Sequence, residues 1–380
     1  MLAPYVYNIV HNQQEFIYNS VTKVLLPSTA SHDDLVANFC LAGQERLAIS
    51  HALCMDRKKF SVTVIPTWEC NLRCTHCSVL TQLKRVDAQE LDVGKLTNFI
   101  GAYVHKHKPR EVAMHFVGGE PLLKAAKCAD VVAATSHLCT NYSITTNGAI
   151  PFTSDILKLL EHMSRITVSV DGSEETHNEQ RIPLDRGNPY QTTLENVSLL
   201  VKQGFVDKLH IQGAVRDEYL TKQHYREFLW TMGLRGVKLD NVVYGCIHPT
   251  DKHADSERYE TLFTARPIRT PCCKFRLGHV WLIDASGGVY DLPFKWAQTR
   301  YGSLDDDLDV ILERRRQHIL AIFPCLQDDK CLACPAIGFC WGACVTGDPM
   351  TGRQPSKYCK QELLVEKVRH GLATGQLPLD

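Results

Sequence analysis

Short apolar runs alternate with longer segments of helical periodicity between about residues 60 and 250. The apolar runs lie at residues 60–65, 112–117, 142–146, 166–170, 209–215 and 242–244. Helical patterning fills the intervals, for example at residues 155–162 and 192–203. Repeated strand–helix units predict right-handed βαβ crossovers and a parallel sheet. Because the runs are nearly continuous in apolar residues, we expect both faces of the sheet to be buried, as in a barrel or a doubly wound sheet.

The first 59 residues predict a small separate unit. Strand-like runs rich in β-branched and aromatic residues lie at residues 5–10 and 15–26, with a polar turn at residues 11–14 between them. Ser31 then offers an N-cap to a helical pattern. A hairpin and a helix have little core of their own, so we expect this unit to lean on the next domain.

The pattern changes again near residue 266, where the chain becomes rich in loops and cysteines. A hairpin is predicted at residues 280–290 and a helix at residues 308–322. The expected parts are a hairpin and helix unit at 1–59, a βα domain at 60–265, a cysteine-rich domain at 266–362 and a C-terminal helix or tail at 363–380.

Glycine and polar residues collect where the predicted strands end. In chain order, the strands lead into segments that begin at Cys70, Gly118, Thr146, Asp171 and Cys246. The carboxyl ends of parallel strands meet at one edge of a sheet, where functional residues gather. The pattern therefore predicts a functional site at this edge.

Length and charge narrow the classes of partner. The 380 residues exceed the roughly 250 to 300 at which single cores stop growing, so more than one domain is expected. Lys plus Arg and Asp plus Glu number 42 each, so no net charge attracts nucleic acid or an anionic membrane. No apolar run approaches the roughly 20 residues of a membrane helix, and no signal-peptide pattern opens the chain. We expect a cytoplasmic protein with no nucleic-acid or membrane partner.

Cysteine usage adds the first candidate chemistry. Sixteen cysteines in a long chain without a signal peptide favour metal or redox sites over disulfides. Cys70, Cys74 and Cys77 form a C-x3-C-x2-C triplet. A [4Fe-4S] cluster takes one thiolate on each of four irons, so three cysteines leave one iron open. A zinc site that uses the intervening His76 as a fourth ligand stays possible from these residues alone.

The other cysteines fall into two groups. Eight follow residue 270, with spacing that can serve more than one cluster or a four-cysteine zinc site: Cys272, Cys273, Cys325, Cys331, Cys334, Cys340, Cys344 and Cys359. The scattered ones are Cys40, Cys54, Cys128, Cys139 and Cys246. We expect the first four of these to be structural, since buried cysteine often behaves as a small hydrophobe.

The motifs at the strand ends resemble those of radical S-adenosylmethionine (radical SAM) enzymes. They are Cys70-Asn-Leu-Arg-Cys-Thr-His-Cys77, Gly118-Gly-Glu-Pro121, Thr146-Asn-Gly148 and Ser169-Val-Asp-Gly172, in that order. The late cysteines resemble the SPASM extension of peptide- and protein-modifying members. The resemblance implies a partial (β/α)6 TIM-like barrel with a small N-terminal α+β unit and a cysteine-rich SPASM-type C-terminal domain. It also implies reductive cleavage of SAM to a 5'-deoxyadenosyl radical.

The resemblance assigns roles in cofactor binding. Cys70, Cys74 and Cys77 would hold the SAM-binding [4Fe-4S] cluster. In the Gly118-Gly119-Glu120-Pro121 segment, the glycines would let the backbone approach the cofactor and Glu120 would accept from the SAM ammonium group. An ordinary turn is the alternative for this segment alone. Further contacts are assigned to Asn147, Ser169 and Arg181, of which the last suits the SAM carboxylate or a surface ion pair.

The resemblance also implies one or two auxiliary [4Fe-4S] clusters. Cys331, Cys334, Cys340 and Cys359 would hold one of them, with structural zinc as the alternative. Cys344 would belong to a second cluster, together with Cys272 or Cys273 and Cys325. Leu292 stands where the family has a hairpin cysteine, so the second cluster would be incomplete, rearranged or absent. Asp291 is a possible oxygen ligand there.

The implied substrate is a ribosomally made precursor peptide, cross-linked, epimerised or oxidised with electrons from flavodoxin or ferredoxin. Cys246 could return a hydrogen atom as in peptide epimerases, or could be a buried thiol. In anaerobic sulfatase maturases an aspartate that acts as a base stands at the position of Pro293. Because Asp291 lies close to that position, a sulfatase maturase-like enzyme is kept as an alternative. The unit 1–59 would bind a leader peptide or cap the barrel. A zinc-stabilised binding protein and an electron-transfer iron–sulfur protein are the alternatives from other classes.

Overall fold

The structure is a computed structural model, and the chain folds into two compact units. One comprises residues 1–56, 265–279 and 312–380, and the other residues 57–264 and 280–311. The structure describes residues 1–11, 13–54, 59–77, 89–216, 219, 221–246, 280–290, 300–322, 329–335, 337, 366 and 370. Across these ranges, no helix combines the length and apolar character needed to cross a membrane.

The N-terminal part of the first unit is a three-stranded antiparallel sheet followed by two helices. The strands are β1 (Val6–His11), β2 (Gln14–Asn19) and β3 (Val24–Pro27), in the order β1-β2-β3. The helices are α1 (His32–Ala37) and α2 (Glu45–Cys54). The apolar run at 15–26, expected as one strand, is two strands with a tight turn. The buried Asn19 side chain makes that turn by accepting from the Val21 and Thr22 amides.

The sequence predicted the first helix start but not the second helix. The Ser31 hydroxyl accepts from the Asp34 amide while the Asp34 carboxylate accepts from the Ser31 amide, each at 3.1 Å. This reciprocal pair is a capping box, which fixes the start of α1. The helix α2 has a weak apolar stripe, and this is why residues 45–54 were not recognised.

The second unit is built on six parallel strands in the order β4-β6-β7-β8-β10-β11, as the alternation predicted. Their bounds are β4 Lys59–Val64, β6 Glu111–Phe116, β7 Asn141–Thr146, β8 Arg165–Ser169, β10 Leu209–Val215 and β11 Val242–Cys246. Each lies within one or two residues of its predicted run, and β10 coincides with it.

Helices connect these strands and cover one face of the sheet. They are α3 Val93–His107, α4 Ala125–Thr135, α5 Ser154–Glu161, α6 Glu174–Gln180, α7 Pro189–Lys202 and α8 Lys222–Leu234. Side chains of Asp92, Thr153, Ser173, Asn188 and Thr221 cap five of them. Tyr103 of α3 stacks on Phe60 of β4 with ring centroids 3.8 Å apart. We call the side of the sheet that carries Phe60 the helix face.

The opposite face of the sheet is polar, although the strands were expected to be apolar on both faces, and some of its side chains, such as Thr63 and Thr167, are buried. The helix face carries fully buried apolar side chains such as Val62, Met114 and Ile144. The alternate residues form the polar face: Ser61, Thr63, His115, Ser143, Thr145, Thr167, Ser169, His210 and Gln212. Strand β6 shows the period clearly, because buried and half-buried residues alternate along it.

Three further strands extend the sheet beyond β4. They are β12 (Val280–Ile283), β13 (Gly288–Tyr290) and β14 (Arg300–Ser303), and β12 pairs in parallel with β4. Asp284 makes the predicted hairpin turn, since its Oδ1 accepts from the Ser286 and Gly288 amides. The hairpin lies in the segment predicted as the C-terminal domain, and its strand β12 covers the edge of β4 in the nine-stranded sheet.

Several short elements complete the described chain. A two-stranded antiparallel ribbon joins β5 (Leu72–Cys74) to β9 (Arg181–Pro183). Single 3-10 turns lie at Pro121–Lys124 and Leu239–Asn241, and helices at Leu308–Ile322 and Asp329–Leu332. The helix at 308–322 has the predicted bounds.

Candidate active site

A cavity of about 260 Å³ lies at the carboxyl ends of β4, β6, β7 and β8, where the sequence predicted a site. Its volume is near the lower end of the roughly 300 to 1,000 Å³ typical of small-molecule sites. The lining residues are Cys70, Leu72, Cys74, His76, Cys77, Val117, Gly118, Gly119, Thr145, Thr146, Asn147, Ser169 and Arg181. All four strand-end motifs therefore contribute to one cavity, although Glu120 and Pro121 do not line it.

The cysteine triplet is held by the β5–β9 ribbon. Cys74 lies opposite Arg181 in the ribbon, and the Cys77 amide donates to the Cys74 carbonyl at 3.1 Å. All three thiols are partly buried and outside any disulfide. Burial raises the pKa of Cys70 to about 12 and that of Cys74 to about 11. Bound cations would have to supply the charge that converts such thiols to thiolates.

The three thiols suit a cluster. Cys70, Cys74 and Cys77 all line the one cavity. A [4Fe-4S] cluster takes one thiolate on each iron, so these three cysteines would hold three irons and leave the fourth open. The donor set therefore fits the cluster.

The two glycines of the second motif allow backbone segments to meet. Gly118 has φ +145°, and a Cβ there would lie 2.6 Å from the Thr67 carbonyl oxygen. A Cβ on Gly119 would lie 2.1 Å from the Glu69 carbonyl oxygen. The Gly119 amide instead donates to Thr67 at 3.1 Å. The motif therefore needs glycine because another segment of backbone lies close to it, as expected. In the structure that segment is the one that leads into Cys70, whereas the expectation was a close approach to the cofactor.

Glu120 links the ends of β6 and β7 and is fully buried. Its carboxylate accepts from the Leu122 amide at 3.0 Å, the Thr146 hydroxyl at 2.8 Å and the Asn147 amide at 2.7 Å. Burial raises the pKa of Glu120 to about 7, against these hydrogen bonds. Through these bonds Glu120 ties the end of β7 to the turn that follows β6. The expected contact with a SAM ammonium group stays a prediction.

Asn147 reaches from β7 to the cysteine triplet. Its Nδ2 lies 3.7 Å from the Cys70 sulfur and 2.9 Å from Oδ1 of Asn71. Asn71 in turn donates to the Ala149 carbonyl at 2.9 Å. This pair of amides ties the cysteine segment to the end of β7. Asn71 was missed from the sequence, since its role depends on a contact 76 residues away.

Arg181 forms a buried ion pair, rather than the surface pair that was its alternative. Its Nε and Nη2 donate to the two oxygens of Asp171 at 2.7 and 3.0 Å. Although burial would raise the pKa of Asp171, the Arg181 guanidinium holds it below its usual range. Gln180 and the Ala214 amide also donate to this carboxylate. A bidentate pair fixes the guanidinium plane where it borders the cavity.

The polar face of the sheet extends from the cavity towards the amino ends of the strands. Thr145 and Ser169 line the cavity, and His115 bonds to Ser143 at 2.8 Å and to Thr145 at 3.2 Å. Burial lowers the pKa of His115 to about 4, with a further contribution from Arg165. The imidazole is therefore neutral near pH 7. The sequence signal for His115 was the alternation along β6, which the apolar reading of that strand overlooked.

The C-terminal cysteines are described only in part. Cys331 and Cys334 form a turn in which the Cys334 amide donates to the Cys331 carbonyl at 3.1 Å. This repeats the geometry of Cys74 and Cys77. Tyr7 of β1 donates to the Pro335 carbonyl at 2.6 Å, so the N-terminal sheet contacts this turn. Tyr7 and Pro335 belong to the same compact unit, and the boundary predicted at residue 59 stays a prediction.

Other predicted site residues lie outside the described residues. They are Cys272, Cys273, Asp291, Cys325, Cys340, Cys344 and Cys359, together with the side chain of Cys246. The backbone of Cys246 is the last residue of β11. The predicted second auxiliary cluster, the epimerase-type hydrogen donor and the sulfatase-maturase alternative rest on these residues and stay predictions.

A comparison with protein families agrees with the motifs. Residues 64–217 match the model of the radical SAM superfamily. The matched segment runs from the end of β4 to just past β10 and includes the triplet, both glycines, Asn147 and the Asp171–Arg181 pair. No curated protein matches the chain.

Solved structures with a similar fold cover most of the chain. Native anSMEcpe with bound AdoMet and Cp18Cys peptide has a TM-score of 0.59 at 16% identity, covering 84% of this chain and 99% of its own. SuiB of Streptococcus suis has a TM-score of 0.55 at 12% identity, covering 95% of this chain and 100% of its own. At these identities the likeness establishes a shared fold.

Proposed function

We propose that this chain binds a [4Fe-4S] cluster and SAM within residues 64–217, which match the radical SAM superfamily model, and that it modifies a peptide. The observation that carries the proposal is the cavity at the strand ends, which three cysteine thiols line together with the other strand-end motifs. In this superfamily the cluster and SAM together supply reductive SAM cleavage and a hydrogen-abstracting radical.

The chain's own residues divide the work of binding. Cys70, Cys74 and Cys77 would hold three irons and leave the fourth for SAM. Arg181, fixed by Asp171, supplies a positive charge beside the cavity for the SAM carboxylate. Asn147 and Ser169 offer amide and hydroxyl groups, and Gly118 and Gly119 hold their loop against the cysteine segment.

A peptide is the substrate class that the polar face supports. The hydroxyls of Thr145, Thr146 and Ser169 and the amide of Asn147 line the cavity, and such groups can pair with main-chain amides without a charge partner. The anSMEcpe structure of similar fold contains both AdoMet and a peptide. Cross-linking, epimerisation and oxidation all begin with hydrogen removal from such a substrate, and a precursor peptide is the proposed form.

The second cysteine motif would hold an auxiliary cluster. Cys331 and Cys334 share the turn geometry of the first motif, and this supports a metal-binding role for them. The proposed electron donor is flavodoxin or ferredoxin. Leader-peptide binding by the sheet β1-β2-β3 stays a prediction, as does capping of the barrel by it.

Anaerobic reconstitution tests the cofactor part of the proposal. The full chain should take up iron and sulfide, show iron–sulfur absorbance and release 5'-deoxyadenosine from SAM when dithionite is added. Tightly bound zinc without SAM cleavage would instead support the zinc-stabilised binding protein. Clusters without SAM cleavage would support an electron-transfer protein.

Deuterium transfer tests the peptide part. Short reading frames next to the gene supply candidate precursors, each of which can be made with fully deuterated amino acids. A peptide substrate should place deuterium in 5'-deoxyadenosine and change mass in the same reaction. Release of unlabelled 5'-deoxyadenosine with every neighbouring peptide would contradict a substrate encoded beside the enzyme.

A further inference from the structure

We propose that Asn147 is a positioning residue that sets the reduction potential of the cluster through a hydrogen bond to the Cys70 sulfur. The inference rests on the proposed function, since it concerns the cluster held by the triplet. It adds a role to a residue that the sequence assigned only to cofactor contact.

Among the described residues, two N–H donors face the Cys70 sulfur. The Leu72 amide lies 3.4 Å from it and the Asn147 Nδ2 lies 3.7 Å from it. The Leu72 donor belongs to the backbone of the cysteine segment itself and follows from its turn. The Asn147 donor comes from another strand, 77 residues later in the chain, and is the one that a side-chain substitution can remove.

The contacts of Asn147 fix which end of its amide faces the sulfur. Its Oδ1 accepts from the Ala149 amide at 2.8 Å. Because a backbone amide can only donate, the atom that faces it must be the oxygen, and the NH2 group must face Cys70. The second Nδ2 hydrogen goes to Asn71 at 2.9 Å. A rotated amide would lose both of these bonds.

The backbone of Asn147 is held as firmly as its side chain. Its amide donates to the buried Glu120 at 2.7 Å, and its carbonyl accepts from Thr193 at 3.1 Å. Asn147 itself is only 8% exposed. Water therefore has little access to replace the N–H donor, and the direct bond to sulfur should persist in the loaded enzyme.

A hydrogen-bond donor to a cluster sulfur stabilises the reduced form of the cluster, which carries more negative charge. Reduction adds one negative charge to the cluster, and this charge is shared with the thiolate ligands. Hydrogen bonds to the sulfurs are among the factors that set iron–sulfur potentials. Partners of ligand atoms that do not themselves touch the metal commonly tune it in this way. Asn147 should thus make the potential of the cluster less negative.

Asn147→Asp is the sharpest variant. It keeps an oxygen to accept from Ala149 and nearly the same shape, but it removes the donor to Cys70. Asn147→Leu removes the donor without adding charge. Asn71→Asp is the matched control, because it adds a charge beside the same cysteine segment while it leaves the Asn147 NH2 group in place.

The measurement is a redox titration of the reconstituted full chain followed by electron paramagnetic resonance. The relevant signal is the one that changes on addition of SAM and is absent in Cys70→Ala. We expect both Asn147 variants to need a more negative potential. The equilibrium constant for reduction should fall about tenfold, about 59 mV for one electron. Asn71→Asp should shift by less than half as much.

The outcomes separate this inference from the proposed function. Unchanged potentials in both Asn147 variants, with intact clusters, would overturn the inference and leave the proposed function standing. Equal shifts in Asn147→Asp and Asn71→Asp, with none in Asn147→Leu, would show that charge alone matters and would also overturn it. A wild-type chain without a SAM-responsive signal would contradict both.

Discussion

The two ends of the parallel sheet use the same kinds of interaction with very different surroundings. At the carboxyl end, Asp171 and Arg181 form a bidentate ion pair with side chains 0% and 9% exposed. At the amino end, Lys59 and Glu111 pair at 2.5 Å with side chains 49% and 38% exposed. Solvent screens the second pair, whereas the first must be satisfied by protein alone. Substitutions should therefore cost far more at the end that carries the site.

Packing is also tighter at the carboxyl end of the sheet than at a position away from the site. At the carboxyl end, backbone meets backbone at Gly118 and Gly119 with no room for a Cβ. Gly101 in helix α3, away from the site, has its nearest neighbour to a built Cβ at 3.9 Å. The site is thus the part of the unit that tolerates least change, and the following substitutions measure that difference.

Gly119→Ala should have the largest effect. The new Cβ would meet the Glu69 carbonyl oxygen at 2.1 Å, and backbone atoms on both sides cannot relax cheaply. We expect a loss of at least about 3 kcal/mol and failure to incorporate the triplet cluster. Urea unfolding and iron counting under anaerobic conditions provide the measurement.

Gly101→Ala is the control for that change. A helical glycine with open space should gain about 0.5 to 1 kcal/mol when replaced by alanine. Equal behaviour of the two alanine variants would show that the carboxyl end is no more tightly packed than helix α3.

Asp171→Asn should have the next largest effect. The variant keeps the size of the side chain but leaves the Arg181 guanidinium buried without a counter-charge. Breaking a buried pair in this way costs about 3 to 5 kcal/mol. The free energy of unfolding should fall and the KM for SAM should rise. A change below 1 kcal/mol would mean that water reaches this pair.

His115→Gln tests how the pH dependence of stability arises from a buried histidine beside the site. The folded chain holds the pKa of His115 at about 4, below its ordinary value of 6.5, so unfolding takes up a proton between these values. The neutral His115 makes its full contribution to the free energy of unfolding above about pH 6.5, and this contribution is lost as the pH falls towards 4. At about 1.36 kcal/mol per pKa unit, the loss reaches about 3 kcal/mol.

The variant cannot titrate, so its stability should fall less steeply across this window. Asp171 and His177 also lose stability in acid and are common to both proteins, so the difference between the two curves isolates His115. Parallel curves would contradict a buried neutral imidazole.

Lys59→Met should have the smallest effect. It removes the exposed ion pair with Glu111 at the amino end, and such pairs contribute about 0 to 1 kcal/mol. The same unfolding measurement applies. A loss as large as that of Asp171→Asn would remove the contrast between the two ends.

Local pattern was enough to predict the main sheet and its functional edge. The strands are marked by apolar residues at one face, and the motifs follow directly from the strand ends. The helix start at Ser31 could be predicted because its cap is formed within four residues. The family match confirms the radical SAM reading of these motifs.

Long-range contacts could not be predicted in the same way. Strand β12 pairs with β4 across more than 200 residues, and the ribbon β5–β9 has strands of three residues without periodicity. The resemblance assigned Glu120 to the SAM ammonium group, and that contact stays a prediction. The three donors that its carboxylate accepts from, at Leu122, Thr146 and Asn147, could not be predicted, because only the fold brings the ends of β6 and β7 together.

The central claim is that the cysteine triplet forms a SAM-cleaving centre. Cys70→Ala tests it most directly, with Cys139→Ala as a control cysteine from the same unit and outside the site. After anaerobic reconstitution with dithionite and SAM, we expect 5'-deoxyadenosine from the wild type and Cys139→Ala and none from Cys70→Ala. Undiminished 5'-deoxyadenosine release by Cys70→Ala would contradict it.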